Sequence, residues 1–157
     1  PSGTDGSSMI TKALSGLERH PSILYGAIAL LTLATLLLTL LPADHIGDVE
    51  LFRYDKLGHL AMFGTWTFLL GLIMFISDRK PLPYFSIFIA GILFGATIEI
   101  LQELLPGKRH MDLADLIADI AGCLIAIALL RWLTARLPGS PAPQKSSTAS
   151  GRNGTGQ

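Results

Sequence analysis

Glu99, Gln102 and Glu103 stand at i, i+3 and i+4 in an otherwise apolar stretch, so a helix there carries all three on one stripe. Asp112, Asp115 and Asp119 stand at i, i+3 and i+7, and Gly122 continues their line. Asp55 and His59 are i and i+4, with Lys56 beside them, and Lys108 and Arg109 add two more cations. Carboxylic acids and an imidazole in apolar surroundings can exchange protons, while Lys and Arg can hold phosphate or carboxylate groups. Glu99, His59 and Asp115 are the candidate proton-exchanging groups. Asp55, Lys56, Gln102, Arg109 and Asp119 are the candidate ligand-binding groups, with Arg109 and Lys56 as anion anchors. The chain has no G-x-S-x-G, H-E-x-x-H or Walker signature, and its single cysteine, Cys123, lies in an apolar stretch without a base beside it. His45 and His110 have no spacing that makes a metal set. No metal, no cofactor and no named reaction is assigned.

The elements that carry these residues follow from hydropathy. Of 157 residues, 50% are hydrophobic and only 15% charged, against about 25% charged in ordinary soluble domains. Twelve basic residues balance twelve acidic ones, so no global field favours nucleic acid. A bilayer core takes about 20 apolar residues in a helix, and four stretches qualify: roughly 22–41, 57–77, 83–105 and 113–134. Pro21, Pro42, Pro81, Pro83, Pro106 and Pro138 punctuate their ends, where a missing N–H is tolerated. The first stretch is longer than the apolar core of a signal peptide and LLPADH lacks a small-residue cleavage pattern, so it reads as a retained helix. The expected fold is all-α, an integral membrane antiparallel four-helix bundle over residues 10–137. Residues 1–9 read as a disordered tail, or as residues added ahead of a start at Met9, and residues 138–157 as a second disordered tail.

Basic residues set the expected orientation. Lys12, Arg19, Arg79, Lys80, Arg131, Arg136, Lys145 and Arg152 fall on one side of a four-span topology, against Arg53, Lys56, Lys108 and Arg109 on the other. Eight against four puts both termini in the cytoplasm of a multi-pass cell-membrane protein. Without Lys145 and Arg152 the count is six against four. Tyr25, Tyr84 and Trp132 fall at the cytoplasmic ends of their spans, as interfacial aromatics should.

This topology gathers the polar groups in one extracytoplasmic layer. Glu99 lies six residues before the end of its span and Asp119 six residues after the start of the next, each about 9 Å deep at 1.5 Å per residue. Ionisable groups within a span face the bundle interior and find partners. Each has a plainer reading beside the chemical one. Arg109 with Asp112 or Asp115 makes a loop-to-helix ion pair, Glu103 a solvated interfacial acid, and His59 a hydrogen-bonded packing residue. Gly91 and Gly95 read as a close-packing notch, Phe63, Trp66 and Phe68 as packing or lipid contacts, and Cys123 as a small buried filler.

The same residues resemble the VanZ-like family. The match is D-K-x-x-H at Asp55, Lys56 and His59, then E-x-x-Q at Glu99 and Gln102, then Pro106 and Arg109. It continues as D-x-x-x-N-x-x-G at Asp115 to Gly122, with Asp119 where the family usually has Asn. The resemblance covers about residues 53–130. It implies a small integral membrane protein of the cell envelope; the family's founding member is associated with resistance to teicoplanin, a glycopeptide acting on the cell wall. It implies no particular reaction.

Two classes of function are open. One is an enzyme or binding protein for a lipid-linked or glycopeptide-type envelope molecule, held in an extracytoplasmic polar pocket. The other is a non-catalytic structural or accessory protein whose polar cluster holds the helices together. The expected partners are membrane lipid and such an envelope molecule, and no nucleic acid. A proton-coupled transporter fits less well, because no polar path continues into the cytoplasmic half.

Overall fold

The computed structural model describes residues 4–40, 55–78, 81–104 and 112–137. They form five helices: α1 (Thr4–Arg19), α2 (Pro21–Leu40), α3 (Asp55–Asp78), α4 (Tyr84–Leu104) and α5 (Leu113–Ala135). Helices α2 to α5 are each long and apolar enough to cross a membrane, and each starts within two residues of its expected position. The boundaries have local causes. Pro21 opens α2, where its fixed φ suits a first turn. The carbonyl of Pro83 accepts the Ile87 N–H at 3.0 Å in the first turn of α4. Asp112 caps α5, its Oδ1 accepting the Ala114 N–H at 2.8 Å.

The N-terminal segment contributes a helix of its own. Residues from Thr4 onward are helical, although Gly6, Gly16 and several serines lower the intrinsic propensity. The compensation is tertiary. Ile10, Leu14 and Leu17 stand at i, i+4 and i+7, and Leu14 is buried in a cluster with Leu24, Leu72, Leu82, Ile87 and Leu130. These partners come from the start of α2, from the segment leading into α4 and its first turn, and from the end of α3 and α5, so α1 packs across one end of the bundle. The expected tail at 138–157 lies outside the described residues.

Consecutive spans run antiparallel, yet the closest pair is α3 with α5, which run parallel. Lys56 and Asp115 meet at the start of both helices, Gly64 meets Gly122 further along, and Gly71 meets Leu130 near the far end. Small residues at such a seam let two backbones approach, which is how membrane helices gain packing without a hydrophobic driving force. Helix α4 lies against the same seam. Its Gly91 faces Thr67 and Cys123, and a Cβ at Gly95 would stand 2.6 Å from Asp119 Oδ2. Thr67 Oγ1 and Cys123 Sγ share a hydrogen bond at 3.2 Å. On the other flank, Trp66 Nε1 donates to Thr32 Oγ1 of α2 at 3.0 Å, and its ring stacks on Phe94 with centroids 4.7 Å apart.

The two ends of the bundle differ. At the α1 end, Tyr84 Oη bonds Thr134 Oγ1 at 2.7 Å, Tyr25 Oη bonds Ser77 Oγ at 3.3 Å, and the Arg136 guanidinium lies 4.6 Å from the Trp132 ring centroid. At the opposite end α3 begins, α4 finishes and α5 begins, and there the buried ionisable groups collect.

Candidate functional site

Three helices build a polar centre from the first turns of α3, the last turns of α4 and the first turns of α5. His59, Glu99, Gln102, Asp115 and Asp119 are all buried, Glu99 at 1% exposure and Asp119 at 0%. The helical stripes explain the convergence. Asp115 and Asp119 are one turn apart on α5, and Glu99 and Gln102 one turn apart on α4, each stripe turned towards the α3–α5 seam.

The centre has two layers. In the outer layer Lys56 Nζ reaches both Asp112 Oδ2 and Asp115 Oδ1, each at 3.1 Å. Asp112 has a second duty, because its other oxygen caps α5. The Ala114 N–H and then the Lys56 ammonium hold the Asp112 carboxyl below the ordinary aspartate range. In the inner layer a hydrogen bond of 2.9 Å joins His59 Nδ1 to Asp119 Oδ1. Glu99 Oε1 approaches the same nitrogen at 3.8 Å, while Glu99 Oε2 accepts the Asp112 backbone N–H at 3.3 Å. The two layers therefore share Asp112. Phe63 stacks on the imidazole with ring centroids 5.7 Å apart, which fixes the ring plane.

Two buried oxygens, Glu99 Oε1 and Asp119 Oδ2, have no hydrogen-bond partner among the described residues. Unsatisfied buried acceptors are rare and call for a reason. One ligand atom from each of His59, Glu99 and Asp119 lies within 4.8 Å of the others, so these three side chains can converge on a shared proton or on an ion.

The expected residues divide accordingly. His59, Glu99 and Asp119 form the inner layer, although spacing alone groups Asp119 with the ligand-binding residues. Asp115, expected beside Glu99 as a proton-exchanging group, is engaged by Lys56. Lys56, expected as an anion anchor, is already shared by two aspartates and ties the start of α3 to the start of α5. Gln102 is buried beside this centre on the Glu99 stripe. Arg109 lies outside the described residues, as do His45, Lys108 and His110, and of Asp55 the backbone alone is described. Two contributors escape a reading of stripes. One is the Asp112 N–H that holds Glu99, and the other is Gly95, which admits Asp119. An N-cap signal at Asp112, immediately ahead of Leu113, points to the first; nothing in the spacing pairs Gly95 with an acid on another helix.

The VanZ/LLP1 family profile matches residues 15–134, a span that takes in the whole polar centre and the four long apolar helices. No curated protein and no solved structure matches the chain. The match extends over far more than half of the sequence and over every helix that builds the centre, and the chain therefore belongs to the VanZ/LLP1 family of multi-pass membrane proteins.

Proposed function

We propose that the protein binds a lipid-linked molecule of the cell envelope, its headgroup at an extracytoplasmic polar layer and its hydrocarbon tail along the α3–α5 seam. The observation that carries this reading is an apolar groove of about 230 Å³ between the two helices, lined by Leu60, Ala61, Gly64, Phe68, Gly122 and Leu129 among others. Leu60 stands at i+4 from Lys56 and Gly122 at i+7 from Asp115, so the groove continues the stripes headed by that ion pair. Along α3 it runs from Leu60 to Phe68, about 12 Å at 1.5 Å per residue. A molecule with a polar head at the Lys56–Asp115 pair thus has an apolar path for its tail.

The headgroup chemistry follows from what each charge already does. Asp112 and Asp115 occupy Lys56, so Lys108 and Arg109 act as anchors for phosphate or carboxylate groups. His59 and Glu99, one layer deeper, exchange protons with the bound head. A glycopeptide-type ligand would use the same polar layer without needing the groove.

A second reading has its own support. Lys56 with Asp112 and Asp115, and His59 with Asp119, join α3 to α5 by ion pairs and a hydrogen bond, as a structural network would. Mass spectrometry of protein extracted in native lipid separates the two. Ala61 is exposed on the groove wall, so Ala61→Trp fills the groove without disturbing the buried centre. The envelope-ligand reading expects one lipid species enriched over bulk in the wild type, lost in Ala61→Trp at unchanged thermal stability. Equal recovery of bulk lipid by both proteins would leave the structural network.

A further inference from the structure

We propose that His59, Glu99 and Asp119 bind a divalent transition-metal ion, with Zn²⁺ preferred, at the inner layer of the polar centre. The proposal is independent of the groove reading; with the ion bound, His59 and Glu99 serve as its ligands in place of the proton exchange given to them above.

Geometry comes first. The three donors come from three different helices, and their ligand atoms lie within 4.8 Å of one another. Zinc bound at about 2.0–2.1 Å in a tetrahedron holds its ligand atoms about 3.3 Å apart. The distances from His59 Nδ1 to Asp119 Oδ1 and to Glu99 Oε1, 2.9 and 3.8 Å, straddle that value. The third pair, Glu99 with Asp119, lies within 4.8 Å, so the two carboxylates close by up to about 1.5 Å to reach zinc spacing.

The second observation is the orphaned oxygen. Glu99 is buried to 1% exposure, and its Oε1 has no hydrogen-bond partner among the described residues, yet it is the atom that approaches His59 Nδ1. Its companion Oε2 is held by the Asp112 N–H, so the carboxylate is orientated with one oxygen turned inward. Metal ligands characteristically have such outer partners, which fix their direction. His59 is orientated in its turn by the Phe63 ring. The inner layer also carries two acids against one imidazole, and leaving a carboxylate charge unpaired in an apolar interior is costly. A dication between the three donors balances both acids.

The donor set selects the ion. One imidazole nitrogen with two carboxylate oxygens suits zinc and holds manganese, at the weak end of the divalent series, less tightly, whereas magnesium and calcium take oxygen ligands and keep more water. Three protein ligands leave a fourth position on zinc for water or a ligand group, as in sites that do chemistry.

The test uses the full chain, purified, delipidated and stripped with a chelator, then equilibrated with ZnCl₂, MnCl₂ or MgCl₂ alone. Bound metal is counted by elemental mass spectrometry, and thermal stability is followed as each chloride is added. The expected result is one equivalent of zinc, a melting temperature that rises saturably with zinc, weaker manganese binding and none of magnesium. Glu99→Gln and His59→Gln should each weaken zinc binding by more than about 100-fold, beyond what loss of an outer partner costs. Asp115→Asn, which leaves all three donors, should still take up one equivalent. Wild-type protein that stays folded and binds no zinc would overturn the proposal, leaving the three groups to share a proton. So would zinc bound equally by the wild type and both Gln variants. Because lipid is removed beforehand, either failure leaves the envelope-ligand reading untouched.

Discussion

Gly64 on α3 and Gly122 on α5 meet backbone to backbone: a Cβ at Gly64 would stand 3.0 Å from the Gly122 carbonyl oxygen, and one at Gly122 would collide with the carbonyl oxygen of Leu60. Leu60 follows His59 in sequence, and Gly122 lies one turn beyond Asp119. The glycine contact therefore sets the helix separation at which His59 Nδ1 and Asp119 Oδ1 stand 2.9 Å apart. Packing in the apolar half of the seam and hydrogen bonding in its polar half are one geometric fact.

Gly122→Ala tests that dependence. The added methyl meets backbone, which cannot swing aside as a side chain can, and overpacking of this kind costs roughly 1–3 kcal/mol. The control is Gly26→Ala on α2, where a Cβ meets nothing within 4 Å and helix propensity favours alanine by about 0.5–1 kcal/mol. Thermal unfolding in detergent should show Gly122→Ala destabilised and Gly26→Ala unchanged or stabilised. Equal melting temperatures for the two variants would contradict the seam.

Acid should loosen the start of α5. The folded Asp112 carboxyl is held below its ordinary value by the Ala114 N–H and by Lys56. A lowered folded pKa contributes stability that is fully present above the unfolded value and is lost as pH falls through the folded one. Melting temperature against pH should therefore fall on the acid side of the ordinary aspartate range. Asp112→Asn keeps a capping oxygen but no titrating charge, so its curve should lose that component. An unchanged acid limb in the variant would assign the loss to other carboxylates.

How much of this was legible in the sequence depends on the kind of signal. Spans of apolar residues ended by Pro21, Pro81 and Pro83 mark their own boundaries, since length and hydropathy decide them. The amphipathic α1 carries only a short stripe, Ile10, Leu14 and Leu17, among glycines and serines, and its helicity depends on partners far away in sequence. In the polar centre, the stripes place Glu99 and Asp119 at one depth because depth follows from residue count. Partner choice does not follow from depth. Lys56 and Arg109 are both within plausible reach of Asp115 by sequence, and the parallel α3–α5 seam, which brings Lys56 to Asp115 and His59 to Asp119, joins spans that are not consecutive. Loop lengths speak only for consecutive ones.

The attachment of α1 gives a direct test of that tertiary account. Leu14 is 8% exposed within the cluster at the α1 end of the bundle. Leu14→Glu places a charge among Leu24, Leu72 and Leu130, and should release α1 while leaving the four spans folded. Limited proteolysis should then cut within residues 4–19 of the variant and spare the wild type under the same conditions. Equal resistance of both proteins would mean that α1 is held by something other than its apolar stripe.

Orientation is tested by thiol labelling. Cys123 is buried, and Cys123→Ala gives a background for single cysteines at Ser140 and Gly47. The basic residues favour cytoplasmic termini, an orientation that would put the polar centre on the outer side. In intact cells an impermeant maleimide should label Gly47→Cys and reach Ser140→Cys only after permeabilisation. The reverse pattern would turn the molecule over and place the polar centre at the cytoplasmic surface.

The His59–Asp119 contact separates a site from a strut. In chelated protein, removing one partner of a buried, hydrogen-bonded charge pair costs roughly 3–5 kcal/mol, whereas replacing both can cost far less. A double-mutant cycle of His59→Gln, Asp119→Asn and the pair measures the coupling. A strut expects each single variant to lose stability and membrane abundance together, with the double variant recovering much of the loss. A site adds a second demand, that the double variant recover stability without recovering ligand or zinc retention. Asp119→Asn keeps the size and shape of the side chain beside Gly95, so its defect reads charge rather than packing. If stability and retention recover in parallel in the double variant, the inner layer is structural. If they part, the geometry of His59, Glu99 and Asp119 serves binding.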